Sequence, residues 1–245
     1  MKKVIEYLKE NWIRHGFETF VVINGILIAF GLNNWNENRK KEVLEIQYLN
    51  RLSVDLKSDT AYFNYRVKKA KKLIDDTRIF VEESYKEQKT EQDFRSLMSL
   101  IRWESEQMTV QNTTYIELTN GGFVNLFKNE VLKTSLIEVY RHYEEVDEHI
   151  KEFNQVSADG LVDMKNYVTM AKYLLPTIFN KPHMFKEQEW SYINEPESFA
   201  FRHQEENIAV YAMKYSAFLN HFQELGQEAE ELILIINDEL ATRDK

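Results

Sequence analysis

Thirteen consecutive residues, Phe20 to Leu32, are apolar except for Asn24 and two glycines, and a polar collar, Asn-Asn-Trp-Asn-Glu-Asn-Arg-Lys-Lys, closes the run at Lys41. A stretch of this kind has to be taken out of water, either inside a bilayer or inside a core. As a helix the run alone reaches about 20 Å, short of the roughly 30 Å of a hydrocarbon layer. The wider window from Phe17 to Trp35 reaches about 28 Å, close to one span. Glu18 and Asn33–Asn34 then fall at the two interfaces, and Trp12 and Trp35 bracket the window as interfacial anchors. The residues alone leave two rivals to a membrane span. One is a cleavable signal peptide, although its small-residue site at Ala29-Phe30-Gly31 would lie inside the apolar run. The second is the buried helix of a soluble protein.

Within the window, Gly25 and Ala29 form a small-xxx-small pair that lets two membrane helices approach, and Asn24 offers an amide that a second copy of the helix can pair. Asn24, Gly25 and Ala29 are therefore the candidate association face. Basic residues flank the window on both sides: Lys2, Lys3, Lys9 and Arg14 before it, and Arg39, Lys40, Lys41 and Arg51 after it. The positive-inside count is a tie. The expectation of a cytoplasmic N-terminal side rests on the ease with which a long following domain is translocated.

The remainder reads as helix. The chain of 245 residues holds 7 Gly, 3 Pro and no Cys, and from Glu42 to Lys86 no breaker intervenes. Leu49, Leu52, Leu56, Phe63, Ala70, Leu73 and Phe80 recur at spacings of three, four or seven, one face of a long helix or coiled coil interrupted by Asp59 and Arg66. Residues 2–14 are amphipathic, with Gly16 as an expected kink. Thr90 and Asp93 mark the start of a second helix over Glu91–Trp103, residues 105–112 read as a polar loop, and Thr113 to Leu118 reads as a short helix stopped at Gly121-Gly122. Asn129 caps a long element that holds one apolar face to about Phe153, breaks at Gly160 and resumes until Pro176. A last helix runs from about Phe201 to Leu240, with Gly226 as its weak point. The expected architecture is all-α: an amphipathic segment over 1–16, a transmembrane helix over 17–35, and an elongated antiparallel helical bundle over 36–245.

Composition excludes several function classes. The whole chain carries a net charge of −9 although residues 1–41 are net basic, so the body is acidic and a poor partner for nucleic acid. Lys68, Lys69, Lys71 and Lys72 sit beside Asp75 and Asp76 and read as a solvated face. Without cysteine there are no disulfides, thiolate metal sites or cysteine nucleophiles. No phosphate loop, dinucleotide fingerprint, nucleophile elbow or zincin helix is present. Glu138, His142, Glu145, His149 and Glu152 share one helical stripe, a chemistry that can hold a metal, but each stands one residue before an apolar position, as the solvated border of a core does. No His is preceded three residues earlier by Glu, so the di-iron bundle motif is absent. No catalytic residue and no cofactor is indicated.

The stretch G-I-L-I-A-F-G-L-N-N-W-N-E-N-R-K, residues 25–40, closely resembles the signature of an uncharacterised bacterial family of single-pass membrane proteins. Tyr48-Leu49, Leu52, Asp55-Leu56 and Asp59 match a following Y-L…L…D-L…D pattern, and Thr114 to Gly122 resembles a T-Y-x-E-L…G stretch of the same family. The resemblance implies a single inner-membrane helix and brings no activity, cofactor or catalytic residue. The expectation is a non-enzymatic, membrane-anchored sensor or interaction module, in contact with lipid, homo-oligomeric through its membrane helix, with an extracytoplasmic domain and an unknown protein partner. The alternatives are an enzyme with an unrecognised site, metal-dependent at His142 and His149, and a cytoplasmic-facing scaffold or defence component.

Overall fold

A computed structural model describes residues 2–101, 104–163, 180–181 and 186–243; for residues 2–15 and 160–163 it describes the helical path alone. Five α-helices account for most of the described residues, and no strand occurs among them. Helix α1, Lys2–Ser84, is 83 residues long, about 125 Å of continuous helix. It passes through Gly16 without a break. The helices that follow are α2, Glu91–Leu100; α3, Thr113–Asn120; α4, Glu130–Asp163; and α5, Phe199–Arg243. Helix α4 continues through Gly160, where a break was expected, and α5 continues through Gly226. A Cβ on Gly226 would meet only the Cβ of Phe63 at 3.7 Å, an ordinary contact. Pro176, the expected stop, lies outside the described residues.

The bundle is up-down-up-down. Arg243 at the end of α5 reaches Glu45, and Tyr85 at the far end of α1 packs on Phe201 and bonds Glu205, so α1 and α5 are antiparallel. His142 meets Glu228 and Phe153 meets Phe218, so α4 is antiparallel to α5 and runs alongside α1. The remaining quarter is filled by α2, an extended strap over residues 104–112, and α3, which together return from the distal end to the proximal one. The core stripe of α1 read from the sequence, Leu49 to Phe80, is buried throughout. It meets Leu132, Leu136, Val139 and Val146 of α4 and Ile208, Phe218, Phe222 and Leu232 of α5 in one continuous cluster. At its centre the ring of Phe63 lies edge-on to Tyr143 at 5.3 Å and stacks on Phe222 at 6.2 Å.

Local signals set the turns. Thr90 and Asp93 form a reciprocal capping box at the start of α2. Gly122 follows α3 with φ +68, the left-handed region that glycine enters without penalty. A Cβ on its neighbour Gly121 would lie 2.4 Å from the Phe123 ring. Asn129 Oδ1 accepts from the amides of Val131 and Leu132 and starts α4. Its Nδ2 donates to Glu239 at 2.9 Å, and Arg243 bridges Glu239 and Glu45, with both guanidinium contacts to Glu45 at 2.7 Å. This polar latch ties α1, α4 and α5 together at the proximal end, where α1 leaves the bundle.

Beyond the latch, from Phe17 to Trp35, no other described residue packs over α1. Phe17, Phe20 to Ile23, Ile26 to Ile28, Phe30, Leu32 and Trp35 are all exposed. By length and composition this segment is apolar enough to cross a membrane, and none of its apolar window is buried among the described residues. The buried-helix alternative therefore finds no support within the described chain.

Candidate functional site

The strap has neither helix nor sheet to satisfy its backbone, and buried backbone groups must be paired. Side chains from three helices supply the partners. Asn154 of α4 clasps Glu106 at both backbone groups, donating to its carbonyl at 2.6 Å and accepting from its amide at 3.0 Å. Lys214 of α5 donates to the carbonyl of Glu104 at 3.3 Å and to Asn154 Oδ1 at 3.0 Å. Tyr62 of α1 donates to the carbonyl of Gln107 and accepts from the amide of Thr109. Asp59 of α1 accepts from the amide of Gln111 at 2.7 Å, while Tyr140 of α4 donates to that residue's carbonyl at 3.3 Å. The strap thus lies in the bundle as a fourth element held by side chains.

Two buried carboxylates in this seam have opposite fates. Glu106, 3% exposed, bonds Arg66, and its Oε1 lies 2.9 Å from the Lys69 ammonium. Burial pushes the Glu106 carboxyl up, but the hydrogen bonds and charges of Lys69 and Arg66 outweigh it and hold the pKa below the usual carboxylate value. Arg66 also packs over the Phe222 ring at 5.1 Å. Lys214, 2% exposed, has its pKa lowered by burial despite the favourable charge of Glu106. Asp59, 1% exposed, has no cation beside it among the described residues: burial pushes its carboxyl up to about 7 against the one backbone hydrogen bond from Gln111, with Asp55 adding repulsion. Among the described residues its Oδ2 has no hydrogen-bond partner, and neither has the buried hydroxyl of Tyr143.

On the outer side of the strap a cleft of about 310 Å³ opens between the strap, α3 and α4. Val110 and Asn112, on either side of Gln111, line it together with Tyr115, Tyr140, Tyr143, Glu144 and Asp147. Tyr115 and Tyr140 stack in parallel with centroids 4.2 Å apart. The two sequence stretches that carry the family resemblance in the bundle meet here. Glu117 of α3 accepts from Tyr48 at 3.0 Å and from Arg51 at 2.6 Å on α1, and Tyr115 of the same short helix forms one wall of the cleft.

The His/Glu stripe of α4 borders a separate open groove against α5. His142 Nδ1 lies 2.8 Å from Glu228, and the His149 and His221 rings are 5.4 Å apart. No group of three or more His, Asp or Glu residues placed to hold a metal occurs among the described residues. Asn24, Gly25 and Ala29 lie on the exposed part of α1. Asn24 Nδ2 donates to the carbonyl of Phe20 at 2.8 Å, so one amide hydrogen is satisfied inside the helix, and none of the described residues comes within 4 Å of a Cβ built on Gly25. Trp35 is exposed with Arg39 over its ring at 5.8 Å. The Trp12 side chain lies outside the described residues.

Sequence patterns alone assign the strap to a polar loop and miss Glu106, Asn154 and Lys214. The one usable signal is Asp59 and Arg66 inside an apolar stripe, since a charge at a core position demands a buried partner. Among known proteins, a profile described as "Family of unknown function (DUF6090)" matches residues 18–145, from the apolar segment through the first part of α4. No curated protein and no solved structure matches the chain.

Proposed function

We propose, for a chain that belongs to the DUF6090 family of unknown function, that it is a membrane-anchored helical sensor or interaction module without enzymatic activity. The observation that carries this reading is the course of α1. One uninterrupted helix is bare and largely apolar from Phe17 to Trp35 and buried along one face in the bundle from Glu45 onward. In water the bare segment would expose a large apolar area, whereas a bilayer takes it up at no backbone cost, because a helix satisfies its own hydrogen bonds. A helix without a break also couples whatever the bundle contacts to the membrane plane, since a tilt or rotation of one part is transmitted to the other. The basic collar at Arg39, Lys40 and Lys41 then lies at the headgroups. The long acidic bundle lies on the extracytoplasmic side of the inner membrane, and a second copy packs on the Asn24, Gly25 and Ala29 face.

A reporter fused after Lys245 tests the anchor and its side. Activity of an extracytoplasmic reporter in the membrane fraction is the expected result. Activity of a cytoplasmic reporter reverses the orientation, and a fusion recovered wholly in the soluble fraction removes the anchor. For the oligomer, Asn24→Leu in detergent is expected to shift the chain toward monomer by sedimentation. A wild-type chain that is already strictly monomeric excludes it.

A further inference from the structure

We propose that the outer face of α1 is a self-association seam, along which a second copy of this chain packs in parallel from the apolar segment well into the bundle. The inference rests on the anchored, oligomeric reading above and extends its interface beyond the span. Val21, Leu32, Val43, Val54 and Tyr65 stand at intervals of eleven residues. All five are aliphatic or aromatic, and each is between 49% and 66% exposed. Eleven residues make three turns plus about 20°, so the five form one gently winding line about 65 Å long. Two belong to the bare segment and three to the bundled half, where the buried stripe from Leu49 to Phe80 faces the other way. The next steps of the series, Glu10 and Asp76, are charged and end it.

Charge points to the occupant. The positions four residues after the first four, Gly25, Asn36, Gln47 and Ser58, carry no charge either. In a parallel two-fold pair each seam residue faces its own copy, so any charge there would meet its like. An uncharged double row is what self-pairing requires. Charges keep to the margins: Arg39 lies over the Trp35 ring, and Arg51 is drawn to Glu117 of α3.

A second observation concerns handedness. An eleven-residue repeat winds two helices about each other right-handedly, and small-xxx-small pairs such as Gly25 and Ala29 favour right-handed crossings in a bilayer. None of the described residues comes within 4 Å of a Cβ built on Gly25, so a partner helix has room to approach. Both features lie on one unbroken helix. Two copies paired in the membrane therefore present their bundled rows to each other at high effective concentration.

The chain has no cysteine, so single-cysteine variants of the full chain in membrane vesicles test the seam. Oxidation of Val21→Cys, Val43→Cys and Val54→Cys with copper phenanthroline is expected to give a disulfide-linked dimer, since the bond forms only where Cα atoms come within about 7 Å. Val131→Cys and Leu234→Cys, as exposed as Val54 but on α4 and α5, report random collision and should give about tenfold less product. In detergent, Val54→Glu sets like charges face to face and should weaken self-association at least about tenfold by sedimentation. Its thermal transition should stay unchanged, because the side chain is already exposed. Linkage at Val21→Cys but not at Val43→Cys and Val54→Cys overturns this inference and leaves an oligomer paired through the span. Equal linkage at Leu234→Cys, a product that is not twice the mass of the chain, or full self-association of Val54→Glu also overturns it. No linkage at any of the three removes the seam, and a monomer by sedimentation then removes the oligomer as well. Linkage at Val43→Cys and Val54→Cys in a chain recovered from the soluble fraction refutes the anchor alone.

Discussion

Leu32 and Leu56 stand on one helix, the first 62% exposed and the second fully buried. The difference lies in what surrounds each half of α1. Around Leu56 the core cluster shared with the other helices supplies apolar partners, so burial stabilises the bundle by roughly 2 kcal/mol for a side chain of this size. Around Leu32 the described chain supplies nothing, and the same side chain has to find its apolar surroundings elsewhere. Polar residues divide along the same line. In the bare half Asn24 turns its amide back on its own helix. In the bundled half Asp59 and Arg66 reach across to the strap and fix its position. A core position that carries a charge specifies one partner, whereas an apolar position accepts many.

The sharpest way to break this comparison is a pair of truncations. Phe63→Ala, at the ring cluster with Tyr143 and Phe222, should lower unfolding stability by about 3–5 kcal/mol. Leu27→Ala, on the bare segment, should leave the bundle's thermal transition in detergent unchanged and reduce only membrane retention. Equal effects of the two on unfolding would show that the bare segment packs on something of its own.

Glu106→Gln should cost about 3 kcal/mol, because Arg66 is left buried without its counter-charge. Replacing both partners by apolar residues should cost less than either single change. The acid limb of stability tests the same contact: Glu106 has a folded-state pKa below its usual value, so its contribution is present at neutral pH and fades as the pH falls through that lowered value. A denaturation series in Glu106→Gln should have a flatter acid limb than wild type.

Asp59 should behave in the opposite sense. Its folded-state pKa is raised to about 7, so its favourable state is fully present below the ordinary carboxylate range and is lost as the pH rises through about 7. Asp59→Asn is expected to raise stability by about 2 kcal/mol near pH 8 and to change little near pH 4, by chemical denaturation at the two values. A loss at both would mean that the carboxylate has a partner in solution.

The smallest effects belong to the turns. Gly122→Ala places a side chain at φ +68 and should cost about 1–2 kcal/mol by thermal unfolding. Asn129→Ala removes the α4 cap and one contact of the proximal latch, for about 1 kcal/mol.

Much of the fold was legible in the sequence because helices advertise themselves locally. The stripe from Leu49 to Phe80, the Thr90–Asp93 box, the Gly121-Gly122 stop and the Asn129 cap each depend on residues a few positions apart. The misjudged point was Gly160, where a break was expected and α4 runs on to Asp163. At Gly226, the expected weak point, the last helix holds, because glycine lowers helix propensity by only about 1 kcal/mol, which packing along a helix as long as α5 outweighs. The candidate site was far less legible. Glu106, Asn154 and Lys214 come from three separate parts of the chain and look like ordinary surface residues in their local context. The strap looked like solvent-facing loop because extended backbone has no periodic signature when its partners are side chains from elsewhere.

By itself, then, the sequence determined the all-helical class, the long uninterrupted first helix and the apolar stretch that needs a non-aqueous environment, since periodicity, propensity and hydropathy are properties of neighbouring residues. Only the tertiary structure decided that Asp59 and Arg66 point into a seam filled by residues 104–112, that Glu106 is neutralised there and that Asp59 is not. Those outcomes depend on which distant side chains arrive within a few ångströms of a buried charge.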